Sequence, residues 1–445
     1  MKKLNILFLF PDQHRGDWLP YNKKTLEKMG ITSLPLRMPN VRKMMDSGFT
    51  FTKTVSSSPV CAPARACLAS GLRYDKCRVP DNNVDYPLDQ RTFYSVLKEN
   101  GYSVGGVGKF DLHKPTRWWG LDGWIDSLGK LGFTHAVDNA GKMDAVSSSK
   151  DGPKDPYMKF LHDNNLAELH RQDIRSRGKY TADPTPLPEY AYCDNWLTDN
   201  GVRMIREFPK DKPWFLQVNF TGPHGPWDVT KRMREKWKNI DFEPPNGWGD
   251  KDLKQINGVR QNYAAMLENI DRNIGVLIDE VEKRGELGNT LIIYSADHGE
   301  MLGDFSQIGK CEPERGSVHI PLVIMGPGIK QTVVSNALVE LQDLAATILD
   351  YAGTGMKEAA DSISLKSLVE GKIKHHRDYQ YSALKAENKH SKTITDWKMI
   401  ADKQYKLIIH GDGTIRLYDL DTDPWENKNI ADNNPHIVQR LRSLY

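Results

Sequence analysis

Short apolar runs alternate along this chain with longer stretches in which apolar residues recur at helical spacing. Asn5 to Phe10, Ser103 to Val107, Trp214 to Phe220 and Thr290 to Ser295 are built mainly of apolar and small residues. Runs of that length, bounded by turn residues, predict strands buried on both faces of an α/β sheet. Each ends in polar or charged residues: Pro11-Asp12-Gln13-His14, Gly108-Lys109, Thr221-Gly222-Pro223-His224 and Ala296-Asp297-His298-Gly299. Open α/β sheets bind ligands beyond the carboxyl ends of their strands, so the four endings together predict a site. Between them, Asn262 to Arg284 has the periodicity of an amphipathic helix and stops just before Gly285, which predicts a helix packed on the sheet.

Residues 110 to 190 are less regular, bring Trp118, Trp119 and Trp124 close together and include a Pro-rich stretch at 184 to 188. An insertion of this kind is expected to cover or shape a site. From about 370 the pattern changes to alternation in Trp397 to Ala401, Tyr405 to His410 and Thr414 to Tyr418, with Gly411-Asp412-Gly413 as a hairpin turn and a helix near Pro435 to Leu444. The expected organisation is an α/β domain over 1–369 and a smaller antiparallel α+β subdomain over 370–445.

Composition and charge narrow the functional classes. At 445 residues the chain can bury a large core. Lys plus Arg number 61 against 58 Asp plus Glu, with no block of like charge, which argues against a nucleic-acid partner. No apolar run approaches the roughly 20 residues of a membrane helix. The basic start followed by a short apolar run has no small-residue cleavage site, so it reads as a first strand. The expectation is a cytoplasmic protein if the sequence is complete, and a periplasmic one if a signal peptide was removed. Five cysteines form an odd and sparse set that does not indicate a disulfide framework.

Ser57 to Gly71 is the most informative segment. Pro63 suits the first turn of a helix, Ala64 to Ala69 continue it and Gly71 can end it. Cys61 then sits at the helix N-terminus, where free N–H groups favour an anion, with Arg65 one turn on. This pattern implies a negatively charged substrate. Read without context, the same residues describe a half-buried thiol beside a surface arginine.

Cys61-x-Pro63-x-Arg65 followed by Ser70-Gly71 resembles the signature of the type I sulfatases in the alkaline phosphatase superfamily. Gly101-Tyr102 through Gly108-Lys109, Gly222-Pro223-His224, Asp297-His298-Gly299 with Lys310, and the C-terminal stretches Tyr405 to Ile408 and Leu417 to Leu420 resemble further segments of that family, in its order. The resemblance implies an alkaline-phosphatase-like α/β/α sandwich with a smaller C-terminal antiparallel sheet. It implies that an outside maturase converts Cys61 to formylglycine (3-oxoalanine), whose hydrate attacks sulfur and later expels sulfate by elimination. It also implies one divalent metal ion, held by Asp12, Gln13, Asp297, His298 and residue 61: Ca2+, with Mn2+ as the alternative. Gln13 and His298 stand where many sulfatases have Asp and Asn, variations that resemble choline sulfatases and phosphonate monoester hydrolases.

Arg65, Lys109 and Lys310 are the implied sulfate clamp, and His224, alone or with Lys310, the implied acid for the leaving alcohol. The elimination base is left between Asp111, by position, and His113, by its ordinary pKa. Asn82, Asn83 and Arg315 are candidate substrate contacts; Glu314 and His319 stand with Arg315 as contacts or as parts of a structural ion pair. The expected substrate is a sulfated carbohydrate or another small sulfated molecule. A phosphonate monoester or phosphodiester hydrolase with the same nucleophile is the first alternative, and a choline-sulfatase-like enzyme the second. Cys67 to Arg73 also satisfies Cys-x5-Arg, the spacing of a thiol phosphatase loop. A binding protein without turnover completes the alternatives.

Overall fold

The computed structural model describes residues 3–31, 34–385 and 396–444. In chain order the strands of the larger sheet are β1 (Asn5–Asp12), β2 (Gly48–Val55), β3 (Ser103–Gly108), β4 (His135–Asp138), β5 (Trp214–Pro223), β6 (Thr290–Ser295), β7 (His319–Met325), β8 (Val333–Ser335) and β9 (Val339–Glu340). They lie in the order β4-β3-β5-β1-β6-β7-β2-β8, with β9 also paired to β2. β1, β3, β4, β5 and β6 run parallel, whereas β7 is antiparallel to both β6 and β2.

All eight residues of β1 are buried because the sheet is covered on both faces. Leu7 and Leu9 enter one core, and Ile6, Phe8 and Phe10 the other. This period of two with apolar residues on both sides produces the continuous run seen in the sequence. Burying each such side chain contributes about 1.5–3 kcal/mol, which anchors the central strands. The helix predicted from Asn262 begins nine residues earlier, at Leu253, and runs to Lys283. Asp252 caps it by accepting from the Lys254 N–H at 2.9 Å, and Ile256 and Val259 continue its buried face.

The segment from 110 to 190 is more regular than its sequence suggests. It contributes β4 and four α-helices, Asp126–Leu131, Gly141–Ser148, Pro156–Asp163 and Ala167–Ser176. Asp155 accepts from the Met158 N–H at 2.8 Å to start the third of these. Trp119 is buried and Trp118 exposed, so this Trp cluster does not form a single aromatic face.

β10 (Gln380–Leu384), β11 (Trp397–Ala401), β12 (Tyr405–His410) and β13 (Ile415–Asp419) form an antiparallel sheet in sequence order. It docks on the larger sheet through a small core in which Val55, Val60, Cys311 and Val318 meet Trp397, Met399, Ile408 and Tyr418. The helix Pro435–Arg442 covers its far side by burying Ile437 and Leu441. No helix of the described residues is long and apolar enough to cross a membrane.

Candidate active site

The carboxyl ends of β1, β3, β5 and β6 converge on the helix Cys61–Ser70. Cys61 is its first residue, and Gly71 ends it at φ 67°, its N–H donating to the Cys67 carbonyl at 2.8 Å. From outside the helix, Asn82 Oδ1 accepts the Ala62 N–H at 2.9 Å and occupies one of the open donors of the first turn. At the end of β3, Gly108 has φ 101°, and a Cβ there would lie 1.9 Å from the Asn219 carbonyl oxygen. Only glycine lets β3 approach β5 this closely and deliver Lys109 to the site.

Cys61 Sγ lies 2.8 Å from Lys310 Nζ, 3.4 Å from Lys109 Nζ, 3.4 Å from His298 Nε2 and 3.8 Å from Asp12 Oδ1. Burial pushes the thiol pKa up, but Lys109, Lys310, His298 and His224 outweigh it and hold the group well below its usual value. This environment favours an anion at residue 61. Arg65 braces the two flanking carboxylates: Nε donates to Asp297 Oδ2 at 3.0 Å and Nη2 to Asp12 Oδ2 at 3.3 Å. Its Nη1 reaches Asn219 Oδ1 at 3.1 Å and the Lys109 carbonyl. Lys109 Nζ bonds Asp12 and stands 3.1 Å from Asp111 Oδ2. Burial would strip the proton from Lys109, yet Asp111, Asp12 and Cys61 reverse that and raise its pKa well above the ordinary range.

Asp12, Cys61, Asp297 and His298 bring their ligand atoms within 4.8 Å of one another. His298 Nδ1 donates to the Gly299 carbonyl at 3.0 Å, which leaves Nε2 as the nitrogen that faces the cluster. Gln13, at φ 70°, donates its backbone N–H to Asp297 Oδ1 at 2.8 Å and its side-chain amide to Glu300. Its Oε1 is buried without a partner. Two carboxylates and an imidazole nitrogen around one point, with the orphaned Gln13 amide oxygen on the residue that follows Asp12, fit a divalent cation.

His224 and Lys310 are the half-buried members of the site. His224 Nδ1 donates to the Gly225 carbonyl, and Lys310 Nζ lies 2.9 Å from His224 Nε2. Burial and then Lys310 lower the His224 pKa, so the imidazole is neutral. Asp111, at φ 53°, contacts Lys109 and Lys114 through Oδ2, while Oδ1 is buried without a partner. His113 Nε2 is bound to Asp138 Oδ2 at 2.6 Å; burial opposes its charge, but Asp138 overcomes this and raises its pKa.

Several expectations need correction. Arg315 does not join this cluster: its Nη1 donates to the Met29 and Pro424 carbonyls, and its guanidinium lies over the Trp425 ring. Glu314 takes the structural ion-pair alternative, with Arg416 at 2.6 Å, and His319 starts β7 elsewhere in the fold. Asn82 uses its side-chain oxygen on the Cys61 helix, and Asn83 is exposed. Cys67 is fully buried in the last turn of that helix, and burial raises its thiol pKa well above normal. Arg73 is occupied with Glu340 and the rings of Tyr379 and Tyr381, so no phosphate loop forms between these two residues. Conversely, sequence reasoning missed Asn219, Glu300, Asp138 and Asp194. Asp194 accepts from the Thr221 and Gly222 N–H groups and fixes the turn leading to His224. Only Glu300 had a local signal, as the carboxylate that follows Asp297-His298-Gly299.

A family model described as Sulfatase matches residues 5–354. The chain belongs to the sulfatase family. A second model, described as N-sulphoglucosamine sulphohydrolase, C-terminal, matches residues 312–443 of this sulfatase. The arylsulfatase of Clostridium perfringens (strain 13 / Type A) is 25% identical over 469 residues, covering 99% of this chain and 93% of the relative. Among solved structures, the phosphonate monoester hydrolase of Agrobacterium radiobacter has a TM-score of 0.81 at 20% identity, covering 99% of this chain and 94% of that one. A protein solved in complex with its substrate D-glucosamine-2-N, 6-O-disulfate has a TM-score of 0.77 at 21% identity, covering 100% and 97%. The chain is a sulfuric ester hydrolase with the α/β fold of the alkaline phosphatase superfamily, which sets aside the reading as a binding protein without turnover.

Proposed function

We propose that this sulfatase hydrolyses a sulfate ester on a carbohydrate, with Cys61 converted to formylglycine by an outside maturase. The observation that carries this reading is the convergence of Lys109, Lys310 and His298 on one atom of residue 61, at a helix N-terminus beside Asp12 and Asp297. The carbohydrate is supported by the sulfated glucosamine bound to a protein of the same fold and by the sulphoglucosamine family matched over 312–443.

Asp12, Gln13, Asp297 and His298, with an oxygen of residue 61, would hold the divalent ion. When bound, such an ion lowers the pKa of the nucleophilic hydroxyl and polarises the sulfate. Ca2+ follows from the family resemblance, whereas the His298 nitrogen favours Mn2+ as the alternative. Arg65 orients both carboxylates. Lys109 and Lys310 offset charge on the sulfate oxygens as the ester bond breaks. Because the His224 imidazole is neutral and bonded to the Lys310 ammonium, these two together deliver the proton to the leaving alcohol. Asp111 is the better base for expelling sulfate, because its Oδ1 is free whereas His113 Nε2 is occupied by Asp138, which also raises its pKa.

The test begins with the mass of the Cys61 peptide from protein made with a maturase, where an aldehyde is expected. An unmodified thiol in active protein would sink the mechanism. Turnover of glucosamine sulfates, an aryl sulfate and an aryl phosphonate monoester is then compared before and after chelation, with Ca2+ or Mn2+ restored. A kcat/KM highest for the sulfated sugar supports the proposal. Preference for the phosphonate ester would favour the second reading, a phosphonate monoester hydrolase, to which Gln13, His298 and the Agrobacterium radiobacter structure lend weight.

A further inference from the structure

The helix Gly141–Ser148 carries none of the reacting groups, yet Gly141, Lys142 and Asp144 each reach the catalytic cluster or the chain that carries it. Ala145 and Val146 are buried in the core and hold the helix against the fold. Its start is tied down from two sides. Asp155 Oδ2 accepts the Ala140 N–H at 3.0 Å, and Asn139 Oδ1 accepts the Gly141 N–H at 3.3 Å. Asn139 is itself joined to the end of β3, its N–H donating to the Gly108 carbonyl at 3.1 Å. A Cβ at Gly141 would lie 3.1 Å from Lys109 Cδ, so the helix begins packed on the stem of that lysine.

Lys142 reaches the chain that follows His224. Its Nζ donates to the Pro226 carbonyl at 3.2 Å and to Asp228 Oδ1 at 2.5 Å, and both charged side chains are buried. The His224 imidazole takes its orientation from the Gly225 carbonyl, so a charge-assisted hold on the next carbonyl steadies the ring. Asp194 fixes the turn before the histidine; Lys142 fixes the segment after it, together with Asn262, which bonds the Trp227 carbonyl at 2.6 Å. Asp144 reaches the other side of the site. Its Oδ2 lies 2.9 Å from Lys114 Nζ, which stands 3.4 Å from Asp111 Oδ2, and its Oδ1 faces Arg117 at 3.9 Å. Burial opposes the Lys114 charge, but Asp111, with Cys61 and Asp144, outweighs it and raises the pKa. The Lys114 ammonium is thus shared between two carboxylates. Without Asp144 it is free to close on Asp111 and draw off that carboxylate's basicity.

We propose that this helix sets the proton-donating and proton-accepting groups of the site in register: Lys142 is a positioning residue for His224, and Asp144, through Lys114, a positioning residue for Asp111. Given His224 as part of the acid and Asp111 as the base, the roles on which this rests, two neighbours on one helix govern different halves of the reaction. Lys142 acts while the ester bond breaks and the alcohol oxygen takes its proton. Asp144 acts afterwards, when Asp111 takes the proton that lets sulfate leave.

Steady-state and burst kinetics of the matured, metal-loaded enzyme separate the two halves. The probes are 4-nitrophenyl sulfate, whose phenolate leaves unaided, and phenyl sulfate, whose oxygen needs the proton. Lys142→Met should lower kcat/KM for phenyl sulfate about tenfold more than for 4-nitrophenyl sulfate, as partial loss of a general acid does. Asp144→Asn should lower kcat and KM for 4-nitrophenyl sulfate several-fold by the same factor, leave kcat/KM unchanged, and release a burst of nitrophenol equal to the enzyme concentration. A smaller folded fraction would instead lower kcat and kcat/KM together for both esters, and that pattern in either variant overturns the proposal. Lys142→Met strands Asp228; if it fails to fold, Lys142→Met combined with Asp228→Asn leaves no unpaired charge and decides in its place. His224→Ala and Asp111→Asn are run beside them. If His224→Ala lacks the leaving-group dependence or Asp111→Asn the burst, the acid and base roles fall and the proposal falls with them. If both show their signature and the helix variants do not, the roles stand and the helix does not set them.

Discussion

Two buried charge clusters lie on either side of the segment Ser56–Val60, and they are built on opposite plans. Around Cys61, cations converge on one atom while Gln13 Oε1, Asp111 Oδ1 and His113 Nδ1 are left buried without partners. Around Asp343, both carboxylate oxygens are occupied: Arg377 grips them, His376 reaches Oδ2 at 3.1 Å, and the Glu340 and Ile363 N–H groups add bonds of 3.0 and 2.9 Å. The second cluster touches the active-site segment through Gln342, which bonds Ser57. A saturated carboxylate, with His376 Nδ1 the atom left unpartnered beside it, ties the larger sheet to the chain leading into β10, whereas the charge around Cys61 is left open for a substrate. Groups poised for chemistry retain strain and unmet bonds, and stability is supplied elsewhere.

The largest expected break in this contrast is Cys61→Ala. Turnover of an aryl sulfate should fall by on the order of 10^4-fold or more, as when a nucleophile is removed from a catalytic unit. The unfolding free energy should change by only about 1 kcal/mol, the typical scale of a single substitution. Steady-state rates with denaturant unfolding of the same sample check both; residual activity above a hundredth would place the nucleophile elsewhere.

Asp343→Asn should do the reverse. It leaves Arg377 buried with the more distant Glu340, at 3.7 Å, and Asp361 as its acids, and should cost about 3 kcal/mol of stability, with kcat/KM of the folded fraction unchanged. Burial pushes Asp343 up, but Arg377 outweighs it and lowers its pKa. A carboxylate with a depressed folded-state pKa stabilises the fold above its unfolded value of about 3.9. That contribution is lost as pH falls toward the folded value. Acid unfolding of the native protein should therefore steepen below about pH 4, and in Asp343→Asn that part of the acid response should be missing. An unchanged acid midpoint would assign the pH dependence to other carboxylates.

Asp111→Asn sharpens the comparison within the active site. Its φ of 53° is one that Asn tolerates, so the fold should stand. Removing a general base should lower kcat by on the order of 10^2-fold. The loss should be similar for aryl sulfates with good and poor leaving groups, because sulfate is expelled after the alcohol has gone. A loss that tracks leaving-group pKa would transfer the role to the earlier step.

Much of the candidate site was legible because most of its side chains sit at or just past the end of a buried strand or at a helix start, features carried by local pattern; Arg65, inside its helix, and Lys310, in a loop, do not. Asp12, Lys109, His224 and Asp297 follow apolar runs, and Cys61 precedes Pro63. β2 and β7 were less legible, since β2 alternates Phe and Thr and β7 contains Pro321. Contacts such as Asn219 with Arg65 or Asp138 with His113 join residues far apart in the chain, and no local periodicity records them. Arg315 misled because it follows Lys310 closely in sequence. Cys311 adopts φ 80° and a short helix starts at Arg315, so the chain turns away from Cys61 and the guanidinium reaches Pro424.

Asn82→Ala carries the smallest expected effect and tests how the nucleophile helix is held. The side chain supplies the acceptor that an N-cap residue would normally provide, but from 20 residues along the chain. Its loss should cost about 1 kcal/mol, the usual value of a helix N-cap, and speed hydrogen exchange at Ala62. Asn82→Asp keeps the acceptor and adds a negative charge near the helix N-terminus, so stability should return to within a few tenths of a kcal/mol of native or exceed it. The same charge repels an anionic substrate, and KM should rise several-fold at low salt and recover as salt screens it. If Asn82→Ala instead raises KM as much as Asn82→Asp with no loss of stability, Asn82 acts by touching the substrate, and the nucleophile helix depends on its own first turn.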